Sequence, residues 1–165
     1  MAASPRPRPL AEHRAELLAL YAETDALMAG MSCDSSTDCC RFGVTGREPY
    51  PTAIEAAELL RAFAATGKRV QSARGGDGGG PAKKAKGKKS LPLANDERRC
   101  PMLSADGRCI VYASRPFGCR TFFCDRAEGQ EPSRARVNEL GRKIADLSAR
   151  HDPRDPGARP LTRLL

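Results

Sequence analysis

A chain of 165 residues has room for one modest domain with tails. Aromatic residues make up only 5%, tryptophan is absent, and 28 residues are Gly or Pro, so part of the chain is expected not to pack. No apolar run approaches the roughly 18 residues of a membrane span, and Met1 to Pro9 lacks the apolar stretch of a secretory signal, so the sequence implies a cytoplasmic protein with no membrane contact.

The formal net charge of +8 is unevenly spread. Residues 1–66 carry net −3, residues 67–99 net +7, and residues 100–165 net +4. The excess is concentrated in Gly75 to Lys89, a Gly- and Lys-rich run with no residue able to build a core. No aromatic side chain interleaves with those lysines, which removes the stacking platform of a nucleic-acid binder and argues against specific nucleic-acid recognition.

Taken in order, residues 1–9 read as a disordered N-terminus. A helical half follows over 10–67. Its first helix spans Leu10 to Met28, with Leu10, Leu17, Leu18, Tyr21, Leu27 and Met28 at helical spacing and Gly30 as the stop. A loop of turn formers carries Cys33, Cys39 and Cys40. The second helix opens with Thr52 and Glu55 as a capping box and presents Ile54, Ala57, Leu60, Phe63 and Ala64 on one face, closed by Gly67. Residues 68–97 form the basic disordered linker.

A cysteine-rich half occupies 98–150. Asp106-Gly107 between apolar stretches predicts a small hairpin, and Ser114 to Cys124 reads as loop with one helical turn. The last helix runs from about Ser133 to Arg150 with Val137, Leu140, Ile144 and Leu147 aligned, and Asp152-Pro153 ends it. Residues 151–165 are a Pro-rich tail. His13 and His151, each solitary in sequence, are expected at the surface. The fold class is small α+β, mostly helical with short strands and loops. Its core is thin enough that a metal staple within the cysteine-rich part is expected.

The seven cysteines form two groups, Cys33, Cys39, Cys40 and Cys100, Cys109, Cys119, Cys124. In a reducing compartment an odd number of cysteines speaks for metal ligation over disulfides. Thiolates are the soft ligands of zinc and of iron–sulfur clusters, so all seven are candidate metal ligands and zinc or an iron–sulfur cluster is the candidate cofactor. The downstream group alone offers four thiolates, and adjacent Cys39 and Cys40 suit two centres or one multi-iron cluster, with a shared or closely adjacent arrangement favoured. Arg115 and Arg120 are positioned in sequence to donate to sulfur, and Phe117, Phe122 and Phe123 to exclude water or to form a local mini-core.

These residues carry a resemblance. Cys100-Pro-Met-Leu, Cys109-Ile-Val-Tyr, Arg115-Pro, Cys119-Arg, Phe122 and Cys124, with Cys33 and Cys39-Cys40 upstream, are similar to the YkgJ-type cysteine-cluster proteins. The likeness spans about residues 31–125 and includes Thr52 and Glu55 at the family's T-x-x-E helix start. Ser36 stands where the family's C-x2-C-x2-C-C pattern has its second cysteine. The resemblance implies a zinc- or iron-chelating domain, structural or redox-active, whose partners are the metal ion or cluster and an unidentified protein. Two alternatives accompany it. Some relatives are labelled flagellin N-methylases, which implies a methyltransferase-like or oxidoreductase enzyme, although no Gly-rich cofactor loop, acid–base pair or Cys–His nucleophile is evident here. The other alternative is a zinc-stapled interaction module.

Overall fold

In the computed structural model, residues 6–32, 37–68, 98–122, 127–155 and 157–164 are described. Five helices and one minimal sheet make up their regular structure: α1 (Leu10–Leu27), β1 (Met31–Ser32), α2 (Phe42–Thr45), α3 (Ala53–Ala65), α4 (Phe117–Thr121), β2 (Glu128–Gly129) and α5 (Arg134–His151). Single 3-10 turns cover Asp38–Cys40, Tyr112–Ser114 and Leu161–Arg163.

The long helices α1, α3 and α5 pack on one another. Leu17, Leu20 and Tyr21 of α1, Ile54 of α3, and Leu140, Ile144 and Leu147 of α5 share one buried cluster, with Phe117 against it. Burying such side chains contributes about 1.5–3 kcal/mol each, which explains why polar-rich α5 is held as a helix over 18 residues. The Ile54 amide also donates to Ser148 Oγ at 3.4 Å.

A second buried cluster lies on the other side of α3. Leu59 and Phe63 meet Phe42, Cys100, Met102, Val111 and Leu161 there. Only α3 gives this cluster a long helix, and the rest comes from turns. Helix α3 starts as expected, with Glu55 accepting the Thr52 amide and hydroxyl, both at 2.9 Å. Its buried face differs from the reading above. Leu60 is exposed, whereas Glu55 and Glu58 are buried among the apolar positions.

β1 and β2 pair antiparallel, Met31 opposite Gly129 and Ser32 opposite Glu128. Gly129 has φ 122°, and a Cβ there would stand 2.0 Å from the Gly30 carbonyl oxygen, so only glycine fits this crossing. The expected hairpin at Asp106-Gly107 reduces to a tight turn beside a single bridge, Leu103 to Cys109. Gly107 supplies its left-handed residue at φ 76°.

Two expectations are corrected. His13 and His151 are buried, because α1 and α5 close on each other at that end. The C-terminal stretch is not a free tail: the Leu161 amide donates to the Pro49 carbonyl at 3.0 Å and its side chain is 1% exposed. Thr162 is likewise tied through its amide and hydroxyl to Glu48, at 2.7 and 2.6 Å. The linker reading at 68–97 falls, Lys68 apart, outside the described residues, as do residues 1–5.

Candidate metal centre

Cysteines from both sequence groups line one cavity of about 290 Å³: Cys39, Cys40, Cys100, Cys109 and Cys119. Backbone pairing brings them there. The Cys100 amide donates to the Cys40 carbonyl at 2.8 Å, and the Phe42 amide to the Arg98 carbonyl at 2.6 Å, so the Asp38–Cys40 turn is zipped against residues 98–100. Thr37 enters that turn with φ 60°, a left-handed conformation uncommon for a threonine. Cys109 follows the Ser104–Gly107 turn, whose far side is fixed by the Ile110 amide donating to Met102 at 3.0 Å. Cys119 sits in α4, which opens after Pro116. Cys33 and Cys124 lie outside the described residues.

The cavity wall between the thiols is apolar: Phe42, Leu59, Met102, Val111 and Leu161. Cys39, Cys40, Cys109 and Cys119 all resist ionising. Cys40 is pushed up to about 12, chiefly by its hydrogen bond with Cys100, while the bond from Cys39 acts the other way. Burial raises Cys119, and the neighbouring Cys40, Cys109 and Cys39 raise it further. Cys39, 3.9 Å from Cys40 sulfur to sulfur, is raised first by that contact and then by burial. Five thiols whose charged forms repel one another in an apolar cavity are soft donors suited to a compensating cation. They fit zinc or an iron–sulfur cluster in kind and in number. They do not stand closed around one ion: among the described residues no three His, Cys, Asp or Glu groups form a ligand set.

Helix α4, which carries Cys119, is held from behind by buried charge. Glu55 accepts the Phe117 amide at 2.6 Å and the Tyr21 hydroxyl at 3.3 Å. Glu58, with its side chain fully buried, accepts from Ser114 Oγ at 2.9 Å, Arg14 Nε at 2.8 Å and both Arg61 Nε and Nη2 at 2.8 Å. Burial alone would raise the Glu58 carboxyl, but the bonds from Arg61, Arg14 and Ser114 outweigh it and hold the group at about 2. Glu58 escaped the sequence reading. Its signal was a carboxylate four residues after Ile54, at a position where the helical period calls for an apolar side chain.

Arg120 corrects a further expectation. It does not serve sulfur. Its Nε and Nη2 donate to the carbonyls of Arg115 and Ala113 at 2.9 and 2.7 Å, its Nη1 pairs with Asp25, and its guanidinium lies 4.1 Å over the Tyr21 ring. Arg115 lines the cavity, stacks 4.1 Å over Tyr112 and reaches Asp25 at 3.3 Å. Its positive charge opposes the upward shift of Cys39 and Cys109. Phe122 also lines the cavity, under Arg47 at 5.2 Å, whereas Phe117 belongs to the helical core and Phe123 lies outside the described residues. No family model, curated protein or solved structure matches the chain. No helix among the described residues is long and apolar enough to cross a membrane.

Proposed function

We propose that this protein holds more than one metal ion, as a zinc pair or an iron–sulfur cluster, through the thiolates of Cys39, Cys40, Cys100, Cys109 and Cys119, with Cys33 and Cys124 as further ligands. The observation that carries the reading is the convergence of five thiols on one apolar cavity, one more than a tetrahedral ion takes. The likeness of the cysteine pattern to YkgJ-type proteins supports it.

The chain's own contribution is preorganisation. Backbone pairing between residues 40–42 and 98–100 fixes Cys40 and Cys100, with Cys39 next to them, and Glu55 with Arg120 fixes the helical turn bearing Cys119. Arg115 supplies positive charge beside the thiolates, and Phe42, Val111 and Leu161 make the wall next to the sulfurs apolar. When bound, the metal group supplies cross-linking between segments that share little regular structure and, if it contains iron, one-electron chemistry.

Anaerobic purification with metal analysis and a visible spectrum tests the reading. A brown protein that bleaches on reduction carries an iron–sulfur cluster, and a colourless one with about two zinc per chain carries the zinc pair. Cys119→Ser and Cys40→Ser are each expected to lower the metal content. Full metal occupancy in both variants, or a metal-free wild type that refuses zinc and iron alike, overturns the proposal.

A further inference from the structure

At the end of the α1–α5 contact, two imidazoles meet in a setting the metal proposal does not use. His13 lies near the start of α1 and His151 is the last residue of α5. They are 8% and 7% exposed, and their ring centroids stand 6.2 Å apart, edge to face. His13 Nε2 and His151 Nδ1 are both buried without a hydrogen-bond partner.

A neutral imidazole has one N–H and one lone pair, so each ring can turn a lone pair toward its unpartnered position. A protonated imidazole carries N–H on both nitrogens. Charging either ring therefore creates a buried donor with no acceptor, and charging both adds repulsion across 6.2 Å. The charges on the neighbouring elements do little to offset this. On α1 and α5, Glu16 and Arg150 neutralise each other in an ion pair. Asp152 follows His151, but it accepts the Arg154 amide at 3.1 Å and lies 3.6 Å from the Arg154 guanidinium. The N-terminal segment contributes the Arg8 amide, which donates to the His151 carbonyl at 2.8 Å, while the Arg8 and Glu12 side chains are exposed.

We propose that His13 and His151 form a proton-controlled clasp: the neutral pair lets the start of α1 close on the end of α5, and protonation opens that end. In keeping with the geometry, burial holds His151 below the ordinary histidine range, His13 lowers it further, and Asp152 opposes them only in part. A group depressed in the folded state leaves stability intact above its unfolded value near 6.5. Stability is then lost as the pH falls below that value, where only the unfolded chain takes up the proton.

Urea unfolding of the full chain between pH 7.5 and 5.5 tests the clasp, alongside His13→Gln and His151→Gln. Acid release of metal is common to all three proteins and cancels in the comparison. The unfolding constant of the wild type is expected to rise about tenfold more than that of either variant over this range. Amide exchange should quicken first at the opening turns of α1 and the final turn of α5. Imidazole NMR titration of the wild type adds a reading that needs no variant, and depressed titration of His151, relieved toward the ordinary value in His13→Gln, supports the clasp. Equal pH dependence in all three proteins, or two wild-type histidines titrating at ordinary values, overturns it.

Discussion

The two buried clusters on either side of α3 solve the same problem by different means. On the α1–α5 side, three long helices interlock through leucine, isoleucine and tyrosine. On the cysteine side, turns of three to five residues surround a cavity of about 290 Å³, and the side chains facing it include five thiols. One region is closed by shape, while the other leaves a space that, on our proposal, an inorganic group fills. The contrast separates what the chain does for itself from what it delegates.

The sharpest way to break the helical region is to hollow it. Leu17→Ala or Ile144→Ala removes a side chain with 0% or 1% exposure and should cost about 2–5 kcal/mol in urea unfolding. A loss below 1 kcal/mol would mean that this layer is not the mainstay of the fold. Chelation probes the other region. Removing metal should speed amide exchange about a hundredfold at Cys100, Leu103, Ile110 and Cys119, whose backbone bonds line the turns, while the middle of α5 changes little. Uniform loss of protection across both regions would erase the distinction.

The seam between the regions is tested at Glu58. Glu58→Gln keeps the shape but weakens the bonds to Arg14, Arg61 and Ser114, for about 1–3 kcal/mol. Because the wild-type carboxyl is held at about 2, its contribution is complete above the ordinary value near 4.5 and fades as the pH falls toward 2. Wild type and variant should therefore converge in stability in acid, and a gap that stays constant with pH would assign the loss to packing alone. The smallest effect is at the cap, where Thr52→Ala should cost about 1 kcal/mol without altering metal content. A drop in metal content there would show that the Glu55 geometry, and with it the Cys119 turn, depends on threonine.

Legibility in the sequence followed the same divide. Helices α1, α3 and α5 are readable to within one or two residues, because apolar period and, for α3, the capping box are local signals. The meeting of Cys39 and Cys40 with Cys100 was favoured from ligand chemistry, but the backbone pairing that achieves it left no local mark. His13 and His151 look like surface residues when each is read alone. Their burial comes from a contact between positions 138 residues apart in the chain. Leu161 reads as part of a tail for a similar reason: prolines stand on its N-terminal side, while its anchor, Pro49, lies far upstream. Strands of two residues are too short to show a period at all.

The placement of α5 also sets a schedule for biosynthesis. Leu17 and Ile54 leave the ribosome well before Leu140, Ile144 and Leu147, which complete their cluster. Cys39 and Cys40 must likewise wait for Cys100, Cys109 and Cys119. A nascent chain that stops short of α5 therefore carries an open apolar face, and this cluster closes only once α5 has been made. The newly made chain is most exposed to aggregation and thiol oxidation in that interval, before α5 arrives.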